Sequence, residues 1–324
     1  MIISRTPLRI SFCGGGSDLP SFYREHGGAV LSMSIARYVY LSMHDYFGGE
    51  GYILKYSQLE TPRAVADIQH RIIREVFGAY GLNGVDFNSS ADVPAGTGLG
   101  SSSAFTVGLL NLCNAYRGRY EGRTALAARA CEIEIEKLGE PIGKQDQYGC
   151  ALGGLNFIEF HPDESVDCEA VPITLAMRQK MERNLVMFYL GGTRSASAIL
   201  KQQNAAAATD RRVTDNLRAM VEMARGLRRD IVGDVDVLGG YLHEGWMRKR
   251  ELAAGITNPR VDDAYDRARA AGASGGKLLG AGEAGFLLAY CPDGTRDAVV
   301  AALPDCQAYD VRFDAMGTTI IYSD

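Results

Sequence analysis

A glycine-rich turn that runs directly into an apolar segment most constrains how this chain can fold. Residues 93–110 read VPAGTGLGSSSAFTVGLL, with glycines at 96, 98 and 100 and serines at 101–103. Glycines let a backbone adopt positive φ and approach a ligand closely. Apolar or aromatic residues then recur at 105, 109, 112 and 116, which is helical spacing. The segment therefore predicts a tight turn that opens a helix near residue 101.

The start of this helix is a candidate anion site. Unpaired N–H groups and the helix macrodipole favour a negative ligand at a helix N-terminus. The hydroxyls of Ser101, Ser102 and Ser103 can cap the helix, bond phosphate oxygens or ligate Mg²⁺. A helix that is simply capped after a glycine turn is the alternative that this segment alone leaves open.

Two other nucleotide-binding motifs do not fit the sequence. A Walker A loop is absent, because Gly143-Lys144 has the wrong upstream spacing and is followed by Gln145. The pattern G-x-G-x-x-G occurs at 280–285 (GAGEAG), but it precedes a strand-like run, FLLAY, and not a helix. A nicotinamide-dependent dehydrogenase is therefore disfavoured.

A carboxylate stands on the apolar face of a predicted helix over 124–138, TALAARACEIEIEKL. At 100° per residue, Glu132 and Glu136 share a polar side with Arg129, whereas Glu134 falls among the alanines and isoleucines. A buried carboxylate without a partner is costly. We therefore expect Glu134 to face a cation, an arginine or a bound metal, and a structural salt bridge remains an alternative.

The next segment, EPIGKQDQYGC at 140–150, contains a second candidate acid. Its proline and glycines predict a loop in which Asp146 lies two residues from Lys144. An aspartate beside a cation stays ionised and can accept a hydroxyl proton. A solvated surface loop would account for the same residues.

The composition points to a soluble globular protein and excludes several partners. The chain has 324 residues, 46% hydrophobic and 23% charged, which suggests ~2 domains. A net charge of −5 disfavours binding to nucleic acid or to anionic membranes. The apolar run at 185–190 is far shorter than the ~20 residues that span a bilayer. Arginines within MIISRTPLRI argue against a secretory signal, and seven scattered cysteines suit a reducing compartment. We expect a cytoplasmic protein.

Hydrophobic patterns predict mixed rather than regularly alternating helices and strands, which indicates an α+β fold. Strands are expected at 2–12, 29–43, 84–92, 149–160, 166–173, 184–190, 285–290 and 308–322. Helices are expected at 62–80, 101–117, 124–138, most of 195–270, and 294–302. The polar stretch HPDESVD at 161–167 predicts a turn near a domain boundary.

Three motifs together resemble those of the GHMP kinases, in the order of that family. They are TPLRISFCGGGSD at 6–18, PAGTGLGSSSA at 94–104, and SGGKLLGAGEAGF at 274–286. The resemblance implies a two-domain fold with ATP and substrate in the cleft between the domains. It predicts an N-terminal ribosomal-protein-like α/β domain over 1–170 and a C-terminal ferredoxin-like domain over 171–324.

The resemblance also implies roles for individual residues. Asp146 matches the catalytic base, and Arg9 matches the basic residue that keeps it ionised. Ser102 and Glu134 match the Mg²⁺ ligands, with ATP as the co-substrate. The residues implied to bind ATP are Pro94, Gly96, Gly98, Leu99, Gly100, Ser101, Ser102 and Ser103.

The substrate is suggested by a departure from galactokinase. That branch has Glu-His before its hydroxyl-binding Thr/Ser and Asp, whereas this chain has Gly15, Gly16, Ser17 and Asp18. Losing two large side chains, one of them anionic, opens space for a larger or phosphorylated sugar. The runs PLRISFCGGGSDLPSFY and PIGKQDQYG resemble the branch that phosphorylates the anomeric oxygen of D-glycero-D-manno-heptose 7-phosphate, which gives the 1,7-bisphosphate.

A sugar phosphate would also need cationic partners. The candidates are Arg24, His26, Arg37, Lys144 and Arg194, of which Lys144 and Arg194 are predicted to bind substrate. Kinases of another sugar, such as a fucose- or galactose-like sugar, and a non-catalytic sensor of sugar and ATP remain alternatives. The sequence leaves a homodimer open.

Overall fold

The computed structural model describes residues 1–192 and 197–324 and contains two sheets. Eight strands form the first sheet. Six of them follow the path β12-β1-β2-β5-β3-β4, while β6 pairs with β2 and β7 pairs with β6. Its strands are β1 (Ile2–Cys13), β2 (Gly28–Asp45), β3 (Tyr52–Lys55), β4 (Leu59–Glu60), β5 (Val85–Ala91), β6 (Leu155–Phe160), β7 (Val166–Ala170) and β12 (Thr319–Ser323). All neighbouring pairs are antiparallel except β3 with β5.

Five helices accompany this sheet. They are α1 (Pro20–His26), α2 (Arg71–Tyr80), α3 (Ser101–Tyr116), α4 (Arg123–Cys131) and α5 (Gln145–Leu152). The chain continues from α4 into a π-helical segment, Glu132–Lys137. Helix α3 packs on β1 and β2 and also contacts α5, so the helix that follows the glycine turn lies at the centre of this half.

The second sheet has four antiparallel strands in the order β11-β8-β10-β9. They are β8 (Leu185–Tyr189), β9 (Gly275–Leu278), β10 (Phe286–Tyr290) and β11 (Gln307–Asp310). The helices of this half are α6 (Leu175–Asn184), α7 (Ser197–Thr209), α8 (Arg211–Asp230), α9 (Val237–Lys249), α10 (Pro259–Ala270) and α11 (Arg296–Ala301). Helix α9 packs on β9, while α8 and α9 also reach β1, so the two halves share a boundary along β1.

Mixed helices and largely antiparallel strands agree with the predicted α+β class and the two-domain fold. The strands up to Ala170 all belong to the first sheet, and the last strand, β12, returns to pair with β1. The division of the chain at 170 and 171 stays a prediction.

Three local predictions were wrong. The strand expected over 149–160 begins only at Leu155, because residues 149–152 belong to helix α5. The helix expected over 62–80 begins only at Arg71, because Gln69 and His70 donate their backbone N–H groups to the Glu60 carboxylate and the His70 side chain caps α2. The loop expected over 140–150 contains α5, which begins at Gln145. Its packing against α3, α4 and β1 stabilises a helix that the local glycines and proline did not suggest.

Candidate active site

The backbone of the glycine turn at 96–100 contacts the backbone of the third motif, SGGKLLGAGEAGF at 274–286. Gly98 has φ +86°, and a Cβ on it would lie 2.6 Å from the Leu279 carbonyl oxygen. On Gly280 a Cβ would lie 2.3 Å from the Gly98 Cα. The glycines of GAGEAG therefore let the second half of the chain close against the turn, which explains a dehydrogenase-like pattern without a nucleotide-binding helix.

Helix α3 starts at this turn without a side-chain cap. Its N-cap is Gly100, in the left-handed conformation at φ +77°, and no side chain of the described residues accepts a hydrogen bond there. The serines therefore do not serve as a simple cap, which was the alternative interpretation of the segment. The first residues of this 16-residue helix, Ser101, Ser102 and Ser103, line the cleft, and the N–H groups of a first helical turn suit an anion.

Glu134 is buried, with 1% of its surface exposed, and it lies beside that helix start. Ser102 Oγ donates to Glu134 Oε1 at 3.0 Å, and Gln147 Nε2 donates to Oε2 at 2.7 Å. Burial raises the pKa of the Glu134 carboxyl, whereas these hydrogen bonds oppose the shift. No arginine or lysine among the described residues forms a salt bridge with it, so the structural salt bridge of the sequence analysis is not formed.

Ser102 and Glu134 present hard oxygen atoms that suit Mg²⁺. Among the described residues there is no cluster of three or more His, Cys, Asp or Glu side chains that could hold a metal alone. Mg²⁺ in kinases is usually held by one or two protein oxygens together with substrate phosphates and water. The donor set at this site fits that arrangement.

Arg9 and Asp146 form an ion pair across the same cleft. Arg9 Nε and Nη2 donate to Asp146 Oδ1 at 2.8 and 2.7 Å, and Arg9 Nη1 donates to the Gly98 carbonyl at 2.8 Å. Burial by itself would lower the pKa of Arg9, but the surrounding groups, with Asp146 foremost, together raise it. The side chain of Arg9 is 4% exposed and that of Asp146 is 28% exposed, so the carboxylate faces the cleft.

Asp18 completes the acidic side of the cleft. Its Oδ1 accepts from the Gly16 N–H at 2.9 Å and from Gln145 Nε2 at 3.2 Å. A Cβ on Gly143 would lie 2.0 Å from Asp18 Oδ2, so only glycine at 143 lets the loop come this close. Burial, and secondarily the charge of Asp146, raise the pKa of Asp18.

These groups line one cavity of about 460 Å³ between the two halves. The predicted residues that line it are Arg9, Gly15, Gly16, Asp18, Gly96, Gly98, Gly100, Ser101, Ser102, Ser103, Glu134 and Asp146. His70, Arg71 and Ile72 also line it, as do Ser11, Gln203 and two lysines. The cavity is large enough for a small-molecule site of the usual size.

Other predicted residues lie away from this cavity. Pro94 and Leu99 line a separate cavity of about 260 Å³. Ser17 is fully buried and exchanges hydrogen bonds with the backbone of Ala29 in β2. Lys144 Nζ donates to Glu164 Oε2 at 2.6 Å, outside the cavity. Arg194 lies outside the described residues.

Sequence reasoning missed two lysines that line the cavity, Lys249 and Lys277. Lys277 lies inside the third motif as SGGKLLG, where a lysine enters an apolar strand. A single lysine within an apolar segment was the signal that the sequence offered, because an exposed strand would alternate polar and apolar residues along its length. Lys249 ends α9 and carried no comparable signal.

Family models and similar proteins agree with this site. The model for the GHMP kinases N terminal domain matches residues 67–154, and the GHMP kinases C terminal model matches residues 215–307, together more than half of the chain. The chain belongs to the GHMP kinases, which are ATP-dependent kinases with sugar or alcohol acceptors.

Three individual proteins illustrate the similarity. The chain is 26% identical to a D-glycero-alpha-D-manno-heptose 7-phosphate kinase of Campylobacter jejuni, covering 95% of this chain and 94% of the relative. It is 27% identical to a bifunctional fucokinase/GDP-fucose pyrophosphorylase of Arabidopsis thaliana, covering 89% of this chain and 29% of that protein. The crystal structure of a D-glycero-D-manno-heptose 1-phosphate kinase from Bacteroides thetaiotaomicron has a TM-score of 0.81 at 24% identity, covering 100% of both chains, and supports the fold.

Within the part of the chain that the structure describes, no helix combines the length and apolarity needed to cross a bilayer.

Proposed function

We propose that this protein transfers the γ-phosphoryl group of ATP to the anomeric oxygen of D-glycero-D-manno-heptose 7-phosphate, which yields the 1,7-bisphosphate. One observation carries the proposal: the Arg9–Asp146 pair and the Ser102–Glu134 pair face one cavity at the glycine turn. Similarity to the Campylobacter jejuni kinase over nearly the whole chain supports the heptose substrate.

In this proposal the triphosphate lies at the start of α3. The uncapped N–H groups and the close backbone of residues 96–100 bind phosphate oxygens, since both suit an anion. Ser102 and Glu134 would hold Mg²⁺, which neutralises charge on the β- and γ-phosphates. Gln147 orients the Glu134 carboxylate by holding its second oxygen.

Asp146 acts on the acceptor hydroxyl. Its carboxylate accepts a hydrogen bond from the anomeric hydroxyl and takes its proton as the new O–P bond forms. Arg9 pairs with that carboxylate and fixes its orientation through two hydrogen bonds to one oxygen, which leaves the other oxygen for the substrate. Most of the rate acceleration comes from positioning and electrostatic stabilisation.

Asp18 binds hydroxyl groups of the sugar. It lies two residues after the Gly15-Gly16 pair, and all three residues line the cavity that contains Asp146. The division into domains at residue 170, a cytoplasmic location and a homodimer belong to this proposal as well. Free thiols at all seven cysteines agree with a reducing compartment.

A fucose-like sugar is the second candidate. Similarity to the Arabidopsis thaliana bifunctional fucokinase over 89% of this chain favours it. A non-catalytic sensor on the same fold would bind sugar and ATP without turnover.

A sugar panel tests these candidates. ADP formation is measured with the heptose 7-phosphate, the unphosphorylated heptose, fucose and galactose, and the product is identified by phosphorus NMR. We expect the highest kcat/KM with the heptose 7-phosphate and a phosphate on the anomeric carbon. A higher kcat/KM with fucose would support the second candidate, and binding without any ADP formation would support the sensor.

A further inference from the structure

Two buried lysine side chains line the cleft. Lys249, at the end of α9, is 7% exposed, and Lys277, in β9, is 5% exposed. Neither has a carboxylate within salt-bridge distance among the described residues, although buried lysines are normally paired. Both line the cavity that contains Asp18 and Asp146.

Each lysine uses two hydrogen-bond donors on backbone carbonyls. Lys277 Nζ donates to Ser11 at 2.8 Å and to Phe12 at 3.2 Å, and Lys249 Nζ donates to Leu278 at 3.2 Å and to Gly280. An ammonium has three donors, so one remains on each lysine. Burial lowers the pKa of Lys277 to about 8, and burial together with the charge of Lys277 lowers the pKa of Lys249. A nearby anion would relieve both shifts.

Three buried polar atoms without partners belong to residues of the same cavity. They are Ser11 Oγ, Gln145 Oε1 and Gln203 Nε2, and all three residues line the cavity. All three atoms lie close to the turn at Gly15 and Gly16. A Cβ on Gly15 would lie 3.5 Å from Ser11 Oγ, and one on Gly16 would lie 2.2 Å from Gln203 Nε2. Buried polar atoms without partners are uncommon and call for a ligand or ordered water.

We propose that Lys249 and Lys277, with Ser11 and Gln203, form a subsite for a phosphate monoester on the sugar. A phosphate monoester carries a charge near −2 and several acceptor oxygens, which matches two ammonium groups with free donors. Arg9 pairs with Asp146 and Arg71 pairs with Glu140, so among the described residues that line the cavity the two lysines are the cations without a carboxylate partner.

The position of Lys277 favours the sugar over ATP. Its Nζ donates to the carbonyls of Ser11 and Phe12, which lie just before the separate turn at residues 14–16 that leads to Asp18. Two of the earlier candidates for the sugar phosphate have other partners. Arg24 and Lys144 are both held by Glu164 outside the cavity.

The inference rests on the proposed sugar kinase activity, and three variants test it. Lys277→Met and Lys249→Met remove charge at similar length, and Ser11→Ala removes one hydroxyl without changing charge. Lys55→Met is the control, because Lys55 is exposed in β3 and pairs with Asp86. Kinetics are measured with the heptose 7-phosphate and with the same heptose lacking the phosphate.

We expect each lysine variant to lower kcat/KM for the phosphorylated sugar by about 10- to 100-fold, mainly through KM, because a charge-assisted hydrogen bond is lost. Ser11→Ala should cause a smaller loss of about 3- to 10-fold in the same direction. KM for ATP and kcat/KM for the unphosphorylated heptose should stay within about twofold, as should all values for Lys55→Met. Isothermal titration with the heptose 7-phosphate alone should show the same loss of affinity.

The subsite would be overturned if the lysine variants lost kcat/KM equally on the phosphorylated and unphosphorylated heptose. It would also be overturned if they raised KM for ATP and left KM for the sugar phosphate unchanged. If the wild type instead prefers a different phosphorylated sugar and the lysine variants lose that preference, the subsite stands and the heptose proposal fails. If the wild type uses the heptose 7-phosphate and the variants match it, the heptose proposal stands and the subsite fails. Should Lys277→Met not fold, Ser11→Ala and Lys249→Met decide the matter.

Discussion

Replacing Asp146 with asparagine separates its chemistry from its structural contribution. Asparagine keeps the shape and one acceptor oxygen for Arg9, but it cannot take a proton. Loss of a general base typically lowers a rate by about 10²- to 10⁴-fold. We therefore expect kcat to fall by that factor while the affinity for ATP stays within about twofold, since Asp146 acts on the acceptor hydroxyl and not on the nucleotide.

The same substitution should also destabilise the fold, and the exposures of the two partners set the magnitude. Asp146→Asn leaves the Arg9 guanidinium, 4% exposed, without a counter-charge, whereas Arg9→Met leaves the Asp146 carboxylate, 28% exposed, in contact with water. Leaving a buried charge unpaired costs ~3–5 kcal/mol, and the retained acceptor reduces this cost. We expect a loss of about 2–3 kcal/mol in the free energy of unfolding for Asp146→Asn and about 1 kcal/mol for Arg9→Met.

Urea unfolding and ADP-release kinetics measure both effects. The double variant Arg9→Met/Asp146→Asn should regain about 1 kcal/mol relative to Asp146→Asn while its activity remains equally low, because the two residues act as one unit. Turnover of Asp146→Asn within tenfold of wild type would refute the assignment of the base. A larger loss of stability in Arg9→Met than in Asp146→Asn would refute the electrostatic reasoning.

Two further predictions concern the metal and the pH dependence. Glu134→Gln should raise the Mg²⁺ concentration needed for half-maximal activity by at least about tenfold, because a charged oxygen ligand is lost. The control is Glu136→Gln, since Glu136 is exposed on the same segment. Equal Mg²⁺ titrations for the two variants would contradict the role of Glu134. Burial places the pKa of Lys277 at about 8, with Arg9, Lys249 and the Cys13 thiol as its charged or titratable neighbours. An anion binds the protonated form, so KM for the sugar phosphate should rise as the pH increases through about 8. In Lys277→Met the rise in KM with pH should disappear. A rise that persists in this variant would show that another group titrates.

Much of the first half of the site could be predicted from local pattern. Glycine spacing and the apolar periodicity after residue 101 predicted the turn and helix α3, and the helical projection singled out Glu134 as a carboxylate on an apolar face. These inferences succeeded because turn conformation and amphipathic periodicity depend on residues within a few positions of one another.

Other features were decided by tertiary structure. Asp146 lies in the first turn of α5 and not in a loop, because packing against α3, α4 and β1 outweighs the local breakers. The glycines at 280–285 read as a nucleotide motif, yet they serve to bring one half of the chain against Gly98 of the other.

By itself, the sequence determined the family, the turn at the start of α3 and the acids around it, since each is encoded in short stretches. Only the folded chain decided that Lys277 is buried and donates to the carbonyl of Ser11, 266 residues away. The physical reason is that burial, and with it the surroundings of a charged group, depends on which distant segments pack together. Local composition cannot specify that packing.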